Sequence, residues 1–304
     1  MSILKKICRY IVDKRYRFCV NTRLGIHNKM GDETFLRKMY KLHFGKELNL
    51  ENPKTFNEKL QWLKLHDRKP EYTRMVDKYE AKKYVAEKIG EQYIIPTLGV
   101  WDDPDDIDFD SLPDKFVLKC THNSGLGMAI CKDKSTLDIA SVKKELRKGL
   151  KQNYFATQRE WPYKNVKPRI IAEKFMVDGE NECLTDYKFF CFGGEPKFMY
   201  RSMDKAKDPR TDFFDMDYNR LNMRMRDPNS DSIPQKPENF EKMKELSRIL
   251  SAGIPHLRVD FYEIGGKIYF GELTFYHCGG FAKIYPEEWM ITLGDWINIS
   301  KDTL

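Results

Sequence analysis

The residues best equipped for chemistry lie near the end of the chain, where Arg258-Val-Asp260 and Glu272-Leu-Thr274 flank a Gly265-Gly266 pair. Alternating runs joined by glycines read as an antiparallel hairpin, and its loop decides which side chains share a face. A two-residue Gly-Gly loop sets Asp260 against Gly271 and turns Glu272 away. A three-residue loop (Gly265, Gly266, Lys267), a type I turn with a glycine bulge, sets Asp260 against Glu272 and Arg258 against Thr274. The second register also brings Leu257, Val259 and Phe261 across from Phe275, Leu273 and Gly271 as an apolar wall. It is the register expected, because a one-residue slip mixes the two sets. Paired carboxylates beside a guanidinium suit a hard cation with an anionic reactant alongside. A half-exposed hairpin with scattered charges is the alternative.

Other segments carry weaker signals. A strand ending in Lys119 leads into Thr121-His-Asn-Ser124-Gly125-Leu-Gly127 and a returning strand, a flap whose backbone N–H groups could fold over phosphate oxygens. It has neither the Walker A nor the Rossmann glycine pattern, and alone it reads as an ordinary hairpin loop. Asp77-Lys78 opens a helix, so Lys78 can reach a phosphate, whereas Lys82 and Lys83 are expected on a solvated face. Glu173, Lys174 and Phe175 end a strand, with Asp178, Gly179 and Glu180 just beyond; in isolation this is a strand edge and its turn. His277 and Cys278 are expected to point to opposite sides of a strand, with Cys278 packed. Asp215-Met-Asp217 has the Asp-x-Asp spacing of metal-dependent glycosyltransferases.

The elements that must position these residues follow from apolar spacing. Helices are expected over 34–43, 55–66, 77–89, 136–150, 240–250 and 286–299, the second started by Asn52-Pro53-Lys54-Thr55 and the third stopped by Gly90. Strands are expected over 115–120, 128–131, 169–176, 184–192, 197–202 and 213–218, with connectors at 101–110 and 220–239. Hairpin spacing with segregated helices implies an α+β architecture with antiparallel sheets.

The chain is 41% hydrophobic and 33% charged, and no apolar run is long enough to span a bilayer. Seven scattered cysteines without a Cys-x-x-Cys pair argue against a disulfide framework or zinc ribbon and for a reducing cytoplasm. A formal net charge of +7 favours anionic ligands without naming one. The basic density peaks in the first twenty residues, where Ile3, Leu4, Tyr10, Ile11 and Phe18 interleave with lysines and arginines. A solvated helix packed on the body is the expectation there, and an amphipathic helix on a membrane surface the alternative.

Taken in order, these elements resemble the ATP-grasp superfamily. Asn52-Pro-Lys-Thr-Phe-Asn-Glu-Lys, Lys119-Cys-Thr-His-Asn-Ser-Gly, Asp186-Tyr-Lys188-Phe-Phe and Gly271-Glu-Leu-Thr-Phe are similar to signatures of its teichuronopeptide-biosynthesis (TupA-like) branch, from about residue 50 onward. The resemblance implies an ATP-grasp fold, two α+β lobes with antiparallel sheets clamping ATP: a helical N-terminal region at 1–95, a small lobe with the flap at 96–165 and a core lobe with the metal site at 166–304. It implies that Lys78 and Lys119 neutralise phosphates under a flap of Ser124, Gly125 and Gly127. Glu173 and the backbone near Phe175 would read adenine, and Glu180 the ribose. Asp260 and Glu272, with Thr274 where an asparagine ligand is usual, would hold Mg²⁺; Arg258 would steady the transferred group, and Lys188 would contact phosphate or substrate.

The implied activity is a cytoplasmic carboxylate–amine ligase that forms an acyl phosphate, with a uronic acid or related carboxylate of a capsular polysaccharide and an amine as substrates and no nucleic-acid partner. A basic N-terminus at the inner face of the membrane remains an open addition. A glycosyltransferase of capsule or lipopolysaccharide assembly, and a nucleotide-binding module without turnover, are the alternatives.

Overall fold

The computed structural model describes residues 3–179, 184–203 and 209–299. Its first part is helical: α1 (Ile3–Val12), α2 (Lys14–Arg23), α3 (Asp32–Phe44), α4 (Phe56–His66), α5 (Glu71–Val76) and α6 (Glu80–Ile89). α4 starts at a capping box. The Thr55 hydroxyl accepts from the Glu58 N–H at 3.2 Å, and the Glu58 carboxylate accepts from the Thr55 N–H at 2.9 Å, satisfying donors that a helix start leaves open. α6 begins later than its spacing predicts, so Lys78 sits in the turn between α5 and α6.

The first sheet contains β1 (Thr97–Trp101), β2 (Phe116–Cys120), β3 (Met128–Cys131) and, after α7 (Ile139–Leu150) and α8 (Tyr154–Gln158), β4 (Ile170–Lys174). Its order is β1-β4-β2-β3, and Phe116, Leu118, Leu146 and Ile170 share a core beneath α7. β4 pairs antiparallel with both β1 and β2. The boundary expected at residue 166 therefore falls within this sheet, because β4, one of its two inner strands, comes from beyond that point. Long-range pairing of this kind leaves no local trace in sequence.

The second sheet is formed by β5 (Asp186–Phe192), β6 (Glu195–Met203) and β7 (Arg210–Asp215), then α9 (Phe240–Ser251), β8 (His256–Ile264) and β9 (Lys267–Thr274), with α10 (Glu288–Asp295) last. Its order is β7-β6-β5-β8-β9, antiparallel throughout. α9 covers one face, Phe240 lying against Phe189, which also meets Phe261. On the other face His256 meets Phe56 of α4, and Phe192 meets Trp296, just past α10. Each fully buried side chain of this size contributes about 1.5–3 kcal/mol, so the aromatic end of the sheet is fixed and the remainder of that face is left for polar groups.

Candidate active site

The site occupies the face of the second sheet that α9 leaves uncovered. β5 and β8 pair so that Lys188 faces Asp260, Phe190 faces Arg258 and Phe192 faces His256. Strand alternation puts all six on one face, and Tyr200 of β6 joins them opposite Lys188.

The β8–β9 hairpin reaches its expected grouping by another route. Its loop has two residues, with Ile264 paired to Lys267 and Phe261 to Phe270 rather than Gly271. One extra residue then enters β9, so Gly271 and Glu272 together stand opposite Asp260, and Arg258 pairs with Thr274 and Val259 with Leu273 as expected. A β-bulge thus supplies the register shift predicted for the loop. Glycine suits the bulge: a Cβ at 271 would stand 3.2 Å from the Asp260 carbonyl oxygen and 3.4 Å from its Cβ.

Arg258 is the hub of the charges. Its Nε and Nη2 donate to the two carboxylate oxygens of Asp260 at 2.7 and 2.8 Å, Nη2 also donates to Glu272, and Nη1 donates to His277 Nδ1 at 2.7 Å. Lys188 pairs with Asp260 and lies 3.3 Å from Asp186. Burial opposes ionisation of Asp260, but Arg258 and Lys188 outweigh it and hold the pKa below its ordinary value. Because Nη2 bonds both carboxylates, they converge on one cationic nitrogen, and that oxygen pair fits a hard cation such as Mg²⁺. Thr274 donates to Glu272 Oε1 at 3.2 Å and so orients that carboxylate. Among the described residues no three His, Cys, Asp or Glu side chains gather as a metal cage. Substrate phosphates and water would complete the coordination, which is the usual habit of Mg²⁺.

His277 and Cys278 do not continue the strand. They open a short turn over His277–Gly280 in which Cys278 and Gly279 take left-handed backbone angles, φ 50° and 62°. The turn brings Cys278 Sγ to 3.5 Å from His277 Nε2 and leaves Cys278 lining a cavity instead of packed in the core. Burial, then Arg258, keep the His277 pKa well below its ordinary value. Arginine can only donate, so Nδ1 is the unprotonated nitrogen and Nε2 carries the hydrogen.

Three residues of α4 hold this turn, and nothing in the sequence reading singled them out for it. Asn57 Nδ2 donates to the Gly280 and Ala282 carbonyls at 2.9 and 3.0 Å, Gln61 Nε2 to the Gly280 carbonyl at 2.9 Å, and Lys64 Nζ to the Gly279 carbonyl at 2.6 Å. All three are buried, and their spacing sets them on one helix face. Their only mark in the sequence is a polar triplet where an apolar inner stripe would be ordinary. Buried Glu160 lies nearby. Burial raises its pKa while Lys64 pulls it down, and burial lowers that of Lys64.

On the facing lobe, Glu173 binds Lys82 at 2.6 Å through one oxygen and Lys119 through the other. Burial opposes its ionisation, yet the two lysines bring its pKa down to about 2. Lys82 is therefore not on a solvated face. It is buried and also donates to the Ile95 carbonyl at 2.7 Å and Thr97 Oγ1 at 3.2 Å, while Lys83 is exposed beside Glu80. Lys78 donates through Nζ to the Asn123 carbonyl, and burial lowers its pKa while Glu272 raises it. It thus stands between the flap and the carboxylate pair.

The flap is fixed at its base and open at its tip. Asn123 Nδ2 donates to the Gly149 carbonyl at 3.1 Å, and the Cys120 N–H to the Gly127 carbonyl at 2.9 Å. At Gly127 (φ 64°) a Cβ would stand 2.4 Å from Cys120 Sγ. Ser124 and Gly125, at the tip, are exposed. Phe175 follows β4 out of the sheet, half-buried; Glu180 lies outside the described residues. Asp215 accepts from the Asp217 and Asn219 N–H groups at 2.9 and 2.8 Å, so the Asp-x-Asp run closes a turn.

Beside the charge cluster a cavity of about 710 Å³ opens over the sheet, with Lys188, Tyr200 and His277 in its wall together with Arg15, Arg226 and Lys283. Arg226 pairs with Asp227 at 3.0 Å, whereas Arg15 and Lys283 form no ion pair with a described residue.

Residues 58–298 match the model of one family, described as TupA-like ATPgrasp. Among solved structures the chain is similar to D-alanine–D-alanine ligase from Bacillus anthracis complexed with ATP (16% identity, 66% of this chain and 53% of that one, TM-score 0.40) and to the Helicobacter pylori ligase of that name (12%, 74% and 61%, 0.42). It is also similar to N5-carboxyaminoimidazole synthetase from Staphylococcus aureus (12%, 66% and 44%, 0.40). The chain thus spans less than two thirds of each of these proteins. No curated protein matches it. Among the described residues no helix is long and apolar enough to cross a membrane.

Proposed function

The chain belongs to the TupA-like ATP-grasp family, and on that premise we propose that it is an ATP- and Mg²⁺-dependent carboxylate–amine ligase. A carboxylate is a poor acylating agent because oxide would have to leave. In the proposed reaction a carboxylate oxygen attacks the γ-phosphorus of ATP, the bond to ADP breaks, and an acyl phosphate forms; an amine then attacks its carbonyl carbon and phosphate departs. Both first-step reactants are anions, so positive groups must offset their repulsion. Mg²⁺ held by Asp260 and Glu272 would neutralise charge on the transferring phosphoryl group. Lys78 and Lys119 are suited to the remaining phosphates, the Ser124–Gly127 flap to covering them, and Arg258 and Lys188 to the carboxylate and phosphoryl oxygens.

The observation that carries this reading is the guanidinium of Arg258, bonded at once to Asp260, Glu272 and His277 beside the Lys188 wall of the cavity. The cavity supports an anionic, ring-bearing acceptor. Arg15, Arg226 and Lys283 offer charge, and Tyr200 and Tyr285 offer flat apolar surfaces to a sugar ring. A uronic acid of a cell-surface polysaccharide, or its activated precursor, has that chemistry, and cytoplasmic ATP would supply the phosphate.

ADP release tests the proposal, measured with ATP and Mg²⁺ while uronic acids and amines are added singly and together. Release that requires both substrates is expected. Release of UDP from a UDP-sugar, or ATP binding that never leads to turnover, would overturn it.

A further inference from the structure

α1 is the least enclosed element of the fold. None of its residues is buried, and Ile3, Leu4, Ile7 and Ile11 are 77, 75, 51 and 65% exposed. At about 100° per residue these four fall on one side of the helix, and Lys5, Lys6 and Arg9 fall on the other. The helix holds no acidic residue. The first 23 residues carry seven lysines and arginines against one acid, Asp13, in a chain of formal net charge +7. Its principal neighbour is α2.

A groove on a partner protein would accept the apolar stripe but gives no reason for a wholly cationic polar face. A second copy would bring like charges together. An anionic bilayer accepts both, since isoleucines enter the headgroup–acyl boundary while lipid phosphates meet lysine and arginine. We infer that α1 docks the protein on an anionic lipid surface. α2, which carries α1, also supplies Arg15 to the cavity wall, so docking sets the cavity one helix away from the headgroups.

Sedimentation of the full chain with vesicles of phosphatidylcholine, with and without phosphatidylglycerol, tests this at low salt. Binding to the phosphatidylglycerol vesicles is expected, with release as salt rises. Ile7→Asp/Ile11→Asp should lower partitioning on the order of a hundredfold while leaving the unfolding temperature unchanged, since no α1 residue is buried. Lys5→Gln/Lys6→Gln should weaken binding and flatten its salt dependence. Wild type that stays in the supernatant with both vesicles, or an Ile7→Asp/Ile11→Asp variant that binds as wild type does, overturns the inference. So does a wild-type dimer in ultracentrifugation that the same variant dissolves, because the face then belongs to a second copy. None of these measurements needs ATP, so their failure and that of the ligase proposal are distinguishable.

Discussion

Lys82 Nζ lies 2.6 Å from Glu173 Oε1, although one belongs to α6 and the other to the centre of the first sheet. With Lys119 on the second oxygen, Glu173 is a buried carboxylate shared by two ammonium groups. Its pKa lies at about 2 against an ordinary 4.5, so the folded state binds fewer protons than the unfolded one between those values. The resulting stability is present above pH about 4.5 and is lost as pH falls toward 2; it amounts to about 3 kcal/mol. Urea unfolding of wild type and Glu173→Gln across this range should show a stability difference that shrinks as pH falls. A constant difference would show that Glu173 does not ionise as described.

The carboxylate pair should divide stability from activity. Asp260→Asn leaves Arg258 and Lys188 facing a neutral buried amide and should cost about 3–5 kcal/mol. The Glu272 side chain is 48% exposed, so Glu272→Gln should change stability by less than about 1 kcal/mol. Both variants should lose ADP release. The thermal unfolding curve of Asp260→Asn and the turnover of Glu272→Gln are the decisive measurements, and a Glu272→Gln enzyme with near wild-type turnover would dissolve the two-carboxylate site.

Of the parts of ATP, Lys119 should act on the phosphates. Removing a charge-assisted bond costs about 1.5–3 kcal/mol, so Lys119→Ala should weaken ATP at least about tenfold and spare adenosine, both by calorimetry. Equal losses would assign Lys119 to holding Glu173 in place.

Arg258→Lys keeps the charge and discards the planar fork that reaches Asp260, Glu272 and His277 together. ATP affinity should be nearly unchanged while kcat falls on the order of a hundredfold, as for loss of one well-placed oxyanion donor. Normal turnover at saturation with tenfold weaker ATP would mean that Arg258 only positions the nucleotide.

What could be read from the sequence was local. Arg258, Asp260, Glu272 and Thr274 lie on one hairpin, and their grouping followed from side-chain alternation even though a bulge, not the loop, produces it. Lys188 meets Asp260 only because β5 lies beside β8, a sheet order that no short segment encodes. Lys82 reads as a surface lysine until β4 brings Glu173 beneath it. Asn57, Gln61 and Lys64 look like an interrupted apolar stripe until the turn over His277–Gly280 is laid against them. The missed features are thus contacts between distant segments, invisible to periodicity.

The cavity is walled from both ends of the chain. Arg15, Cys19, Met39 and His43 precede the span that matches the family, and Lys188, Tyr200 and His277 lie within it. The acceptor chamber of the proposed ligase is therefore shared between helices ahead of the matched span and strands within it. Under the proposed function, exchanging α2 and α3 for helices with another pattern of charge would rebuild one wall of that chamber and leave the proposed phosphate contacts of Lys78, Lys119 and the Ser124–Gly127 flap in place.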